Sequence, residues 1–434
     1  MDLKGKRLLL LGGSRITCEV VRHARKLGVV TGVTDWYPLE KSPAKQLADE
    51  AYYENTSDME AMSKLIQEKH FDGVLTGFTD SALPFYAEMC KLNHLPAYGT
   101  KEQFDLFIDK TQYKDLMRKF DVPTIPEYQI DLENIEDSSK DVKYPLLVKP
   151  SDSSGARGIS ICHNLDELKA AVSVANEASK TKKILVEQYV DGPECTIFWL
   201  FQDGKYYVML LGNRHVKYNQ NGVIPLPVGY TYPAACLPKF MKDTAPKMEA
   251  MFRSVGIQNG MMFMQCKIVD DECIVYDIGY RLTGSLEYIN IKEMCGFDPL
   301  DMLIHFALTG DMGETDLDNK VDATLSGKYS FNVSILSKPG KIVEIQGLDT
   351  VKAMPEVIDA VVAHPVGDVI TEKMVGLLAQ ITVRVLGKAD SIEQMKKAMY
   401  TIHDTIKVIS ETGENMVLPG VDETDFEGTI FVND

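Results

Sequence analysis

Long hydrophobic runs, paired cysteines, basic clusters and the common nucleotide-loop signatures are all missing from this chain. No apolar stretch approaches the roughly 20 residues that a membrane helix needs. The run at residues 8–11 stops at Gly12-Gly13 and has no small-residue cleavage site after it, so it reads as the first strand of a fold. None of the 8 cysteines belongs to a CxxC pair. That argues against a zinc site, and a chain of this size needs no disulfide framework. Reduced thiols in a cytoplasmic protein are the expectation. No dense Lys/Arg run interleaved with aromatics occurs and the net charge is −17, which argues against a nucleic-acid or anionic-membrane surface. No loop ends in Gly-Lys-Ser/Thr, no GxGxxG follows a strand, and neither internal repeats nor low-complexity linkers are found.

What is present describes a globular protein of several subdomains. With 434 residues, 45% of them apolar and 25% charged, the chain exceeds one ordinary core. The leucines at 8–11, the Gly12-Gly13-Ser14 turn, a helical pattern through Val20, Val21, Ala24 and Leu27, and strands at 29–33 and 73–77 alternate as in a doubly wound parallel sheet. Asp35 stands about where a dinucleotide-binding fold keeps its ribose acid, so a nucleotide site at this first turn is a rival reading.

The richest segment runs from residue 144 to 194. Tyr144-Pro145-Leu146-Leu147-Val148-Lys149-Pro150 is an apolar strand that carries a cation to its end, where a polyphosphate could be met. A loop of small residues follows, containing Ser153, Ser154, Gly155 and Gly158, whose backbone N–H groups can close on phosphate oxygens without side-chain obstruction. A second strand at 184–186 leads to Glu187 and Gln188, polar groups suited to an adenine edge, and Glu194 lies one short turn on, within reach of ribose hydroxyls. Alone, a strand-end lysine usually snorkels to water and a Ser/Gly loop is usually a turn. Their order points to phosphate chemistry.

Residues 261–269 and 273–281 read as a hairpin about the charged Asp270-Asp271-Glu272. With Asp271 at the turn centre, Gln265 stands opposite Asp277, close enough to share a metal. Arg281 shares the face of Asp277 by the two-residue period. Residues 212–219 and 224–233 read as a long loop region. His215 within it could act as a base, although a histidine of this kind is more often structural.

In this order and spacing the chain resembles the ATP-grasp superfamily, which includes biotin carboxylase, D-alanine–D-alanine ligase, carbamoyl phosphate synthetase and the L-amino-acid ligases. The resemblance implies an α/β fold: an N-terminal doubly wound domain (1–108), a two-lobed ATP-grasp domain (109–188 and 189–310) and a C-terminal α+β domain (311–434). It implies that Lys110 and Lys149 contact phosphate, and that the 153–158 loop folds over it. Glu187, Gln188 and Val190 form the adenine hinge, and Glu194 takes the ribose. Gln265 and Asp277 are the Mg²⁺ ligands by position, Arg281 is the catalytic arginine, and Gly279 stands where the family keeps an asparagine. ATP and Mg²⁺ are the implied cofactors. A small-molecule carboxylate and an amine are the implied substrates, with no nucleic-acid or membrane partner and with a homodimer left open. Carboxyphosphate chemistry and a non-catalytic ATP-binding protein remain alternatives.

Overall fold

The structure, a computed structural model, describes residues 2–152, 158–217 and 225–432. At the N-terminus β1 (Arg7–Leu11), β2 (Val30–Thr34), β3 (Glu50–Tyr52) and β4 (Gly73–Leu75) form a parallel sheet of order β3-β2-β1-β4. Helices cover parallel strands, so such strands read as unbroken apolar runs, and Leu8, Leu9 and Leu10 are fully buried.

The small lobe is a second sheet of β5 (Glu127–Tyr128), β6 (Leu146–Pro150), β7 (Ser160–Cys162) and β8 (Ile184–Gln188), antiparallel in the order β5-β8-β6-β7. It rests on the helix Leu165–Ala178, which Asn164 caps by accepting from the Glu167 N–H. Leu146, Val148, Leu168 and Val186 make a separate core beneath it.

The floor is one large sheet. β9 (Glu194–Gln202), β10 (Lys205–Lys217), β11 (Leu226–Tyr232), β12 (Gly260–Val269) and β13 (Glu272–Gly279) are followed by β14 (Tyr329–Leu336), β15 (Gly340–Gln346), β16 (Val357–Val362), β17 (Val369–Ile370), β18 (Ile381–Ala389) and β19 (Lys407–Ser410). Eight of these run β13-β12-β9-β10-β11-β14-β18-β16, and β17-β15-β19 make a small separate sheet. β11 pairs with β14, so the strands of the large lobe continue into those of the C-terminal region without a break. Much of the stretch expected as loop at 212–219 and 224–233 is therefore strand, in β10 and β11. Its buried Asn213, His215 and Thr231 are polar, and a buried polar strand lacks the apolar pattern that announces one.

The hairpin register shows how Gln265 comes to face Asp277. Asp270 and Asp271, both with positive φ (51° and 60°), form a two-residue turn. Val269 then pairs with Glu272, and this register holds to Cys266 opposite Val275. A bulge between Gln265 and Cys266 takes up Tyr276 as the extra residue and brings Gln265 opposite Asp277. A turn centred on Asp271 predicts the same pair, because the bulge offsets its one-half-residue error.

Candidate active site

Lys110 opens the helix Lys110–Lys119 because Asp109 caps it, accepting from the Thr111 N–H at 2.9 Å. Its ammonium crosses to β13 and meets Asp277 Oδ1 at 2.5 Å. Burial alone would lower the Lys110 pKa, but the Asp277 carboxylate holds it above the usual lysine value. Burial likewise works to raise Asp277, and Lys110, Lys149 and Arg281 together hold it below the ordinary aspartate range. A third of the Asp277 side chain stays exposed to the cavity.

Lys149, at the end of β6, lies 2.8 Å from Glu187 Oε2 and donates to the Tyr276 carbonyl at 3.3 Å. Burial, then the neighbouring Lys114 and Lys110, push its pKa down to about 8 against the opposing pull of Glu187. Glu187 is held by Lys114 as well, and Lys114 reaches Glu127 at 3.0 Å. The Glu187 carboxylate is thus engaged by two ammonium groups. Gln188 is engaged too, accepting from Tyr128 Oη at 2.8 Å and donating to the Pro145 carbonyl at 2.9 Å. Glu187 and Gln188, the two polar side chains expected at the adenine hinge, thus both hold partners within the protein while lining the cavity. Val190 lines the cavity beside them.

Glu194 begins β9 and is ringed by Arg214, Lys267 at 2.9 Å and Tyr276 Oη at 2.9 Å. Burial works to raise its pKa, but Arg214 and Lys267 keep it lowered, hence ionised. Arg281 is gripped at two points by Asp80, which follows β4, Nε to Oδ1 at 2.6 Å and Nη2 to Oδ2 at 2.5 Å, with its guanidinium 5.0 Å over the Phe263 ring. Gly158 has φ +73°, and a Cβ there would fall 2.5 Å from that of Ala178, so the described end of the small-residue loop accepts only glycine. Ser153, Ser154 and Gly155 lie outside the described residues.

These groups surround one cavity of about 520 Å³. Leu147, Ile159 and Ile161 give it an apolar wall at the small lobe, and Lys110, Lys149, Asp277, Gln265 and Arg281 line its middle. Tyr230 of β11, Arg384 of β18, Ser285 and His364 line its far end. Arg384 donates to Ser334 Oγ at 2.8 Å, is buried, and has no carboxylate within ion-pair distance among the described residues. Desolvation lowers its pKa.

Gln265 and Asp277 suit one Mg²⁺, which takes oxygen ligands and commonly binds through one or two carboxylates plus phosphate and water. The glycine at 279 supplies no ligand and has no room for one. A Cβ there would lie 2.3 Å from the Phe263 ring and 3.2 Å from Asp80.

Two rivals named by the sequence are closed by geometry. Asp35 accepts from the Gly13 N–H at 2.8 Å and from Ser42 Oγ at 2.8 Å and pairs with Lys45 at 2.7 Å. It fills the first turn that a dinucleotide phosphate would use. His215 is buried outside the cavity, its Nε2 2.8 Å from Thr231 Oγ1, its ring against Phe426 and its pKa pushed down to about 4 by burial. It has the structural role. Asp80, Arg214 and Arg384 are cavity residues that sequence reasoning did not assign. Arg384 had a signal, since it is the lone charge in the apolar stretch from Ile381 to Val385. Asp80 had none.

The model of the carbamoyl-phosphate synthase L chain ATP-binding domain matches residues 109–221, the stretch that supplies Lys110, Lys149, Glu187 and Glu194. Over that stretch the chain is similar to the ATP-binding domains of the ATP-grasp superfamily. The 2-oxoglutarate carboxylase small subunit of Hydrogenobacter thermophilus is 29% identical over 227 residues, 48% of this chain and 48% of that one. The chain spans about half or less of the curated relatives it matches. In structure it is similar to the L-amino acid ligase of Bacillus licheniformis, with a TM-score of 0.75 at 20% identity, covering 94% of this chain and 99% of that one. It is also similar to the biotin carboxylase domain of the Hydrogenobacter 2-oxoglutarate carboxylase, solved with MgADP and bicarbonate, with a TM-score of 0.76 at 19% identity over 95% of this chain and 91% of that one. These likenesses establish an ATP-grasp fold. Among the described residues no helix is long and apolar enough to cross a membrane.

Proposed function

We propose that this ATP-grasp chain is an ATP-dependent carboxylate–amine ligase that forms an amide through an acyl phosphate. The observation that carries this reading is the convergence on one cavity of Lys110, Lys149 and Arg281, from three separate parts of the fold, each set against a carboxylate: Asp277, Glu187 and Asp80. Phosphoryl transfer depends on positioning and charge neutralisation more than on a protein nucleophile.

In this reading the apolar wall and the backbone at 187–190 receive the base, Glu194 takes ribose hydroxyls, and Lys149 with the 153–158 loop holds the phosphates. Lys110 would exchange its Asp277 partner for a phosphate oxygen, and Asp277 with the Gln265 carbonyl oxygen would be the residues that hold Mg²⁺. Mg²⁺ bound there supplies neutralisation of the phosphate charge. Arg281, aimed by Asp80, stabilises the acyl phosphate. Arg384 anchors an anionic group of the acceptor at the far end. That end favours an organic acid over bicarbonate, which would leave Arg384, Tyr230 and Ser285 unused. The MgADP and ligase named for the structural neighbours support the same direction. Residues 1–108, 109–310 and 311–434 are the proposed N-terminal, ATP-binding and C-terminal units.

A screen of amino-acid pairs for ADP release with Mg-ATP tests this. Release that requires both a carboxylate and an amine is expected. Bicarbonate-dependent, amine-independent release would overturn the reading for carboxyphosphate chemistry, and ATP binding without release for a non-catalytic protein.

A further inference from the structure

On the sheet face turned away from the cavity, four cysteines from separate stretches of chain come together. Glu194, Gln265 and Lys267 line the cavity, so their strand neighbours Cys195 and Cys266 point to the opposite side. There Cys195 on β9 stands in register with Cys266 on β12. Cys273, at the start of β13, brings its Sγ to 3.6 Å from that of Cys195. Cys236, just before the helical turn Leu237–Lys239 that covers this face, brings its Sγ to 3.6 Å from that of Cys273. The Sγ atoms of Cys195, Cys236 and Cys273 all lie within 4.8 Å of one another and all three residues are buried.

We propose that Cys195, Cys236 and Cys273 bind one thiophilic divalent ion, zinc, with Cys266, in register opposite Cys195, supplying the fourth sulfur once its side chain turns in toward them. Zinc–thiolate bonds of about 2.3 Å in a tetrahedron place sulfurs about 3.8 Å apart, close to the separations seen here. Buried cysteines also serve as small apolar side chains. That role explains each residue singly but gives no reason for three of the chain's 8 cysteines to bring their sulfurs to one point. A disulfide would single out one pair, whereas Cys273 is equally spaced from two partners. The donor set is soft and all sulfur, the preference of zinc and unlike the oxygen ligands of Asp277 and Gln265. The ion would tie the covering helical turn to β9 and β13 and would be loaded as the chain folds, since the ligands are closed to solvent.

The test uses the full chain purified under reducing conditions and washed with EDTA, which strips weak oxygen-ligand sites. Mass-spectrometric metal analysis is expected to find about one zinc per chain, and refolding with Co²⁺ to give the intense near-ultraviolet thiolate-to-cobalt absorption that oxygen ligands do not produce. Cys236→Ser is expected to reduce zinc to below about a tenth of an equivalent and to abolish that absorption, while Cys18→Ser, outside the cluster, keeps both. Should the serine variant fail to fold, the wild-type measurements decide alone. Wild-type protein with neither zinc nor the cobalt absorption, a disulfide between any two of these cysteines, or a folded Cys236→Ser that retains the metal would each overturn the proposal.

Discussion

Lys110 and Asp277, 167 positions apart in sequence, neutralise each other across the cavity at 2.5 Å. Each residue of the pair has a different task in the proposed reaction, one toward phosphate and one toward metal. The ion pair is therefore a resting arrangement that must open for both to act.

Asp277→Asn is expected to abolish ADP release while leaving a cooperative fold, because the amide fits the same volume and the position is open to the cavity. Gln265→Glu adds a second carboxylate and is expected to lower the Mg²⁺ concentration needed for half-maximal release, since hard cations favour charged oxygen. ADP release across a magnesium titration reads both. Wild-type activity in Asp277→Asn would remove the hairpin from the metal site.

Lys149 makes ATP affinity depend on pH. Its protonated form attracts phosphate, and with its pKa pushed down to about 8 in the free protein the charge is lost as pH rises through that value. Calorimetric ATP affinity is expected to be flat below pH 8 and to fall above it, approaching about tenfold per pH unit, or ~1.4 kcal/mol. Lys149→Arg should remove this fall and Lys149→Ala should weaken binding at least about tenfold at pH 7. Affinity independent of pH in the wild type would count against a phosphate contact.

Arg281 is aimed by Asp80, so the two should fail together. Arg281→Lys loses the two-point grip and is expected to reduce kcat on the order of a hundredfold with little change in ATP affinity. Asp80→Asn should reduce kcat in the same direction, and adding it to Arg281→Lys should cost less than the product of the two single effects. Full multiplicativity of the two losses would show that Asp80 acts elsewhere.

Phe263 occupies the space that a side chain at position 279 would need. Gly279→Asn is expected to destabilise the protein by about 1–3 kcal/mol through overpacking, read as a lower urea midpoint. In the Phe263→Ala background the same change should cost less, because the ring that blocks it is gone. Equal costs in both backgrounds would disprove the steric account.

The sequence determined what neighbouring residues settle among themselves. The leucine run of β1, the Asp109 and Asn164 helix caps, the strand that ends in Lys149 and the hairpin that sets Gln265 against Asp277 all follow from patterns a few residues long. Even the hairpin needed help, since the Tyr276 bulge is silent in the pattern and shifts the register by one. Tertiary structure decided which polar groups remain available, because partners distant in sequence compete for them. Glu187 and Gln188 were legible as polar residues at a strand end, but their engagement by Lys114, Lys149, Tyr128 and Pro145 was not. His215 and Asp35 look like chemistry in a linear reading and are structural once Thr231, Ser42 and Lys45 are placed beside them. Conversely, Asp80 and the cluster of Cys195, Cys236 and Cys273 carry no local spacing signal, and Arg384 stands out only as a lone charge in an apolar strand. Burial removes water as the default partner of a charge or thiol, so only the folded surroundings decide what each can bind.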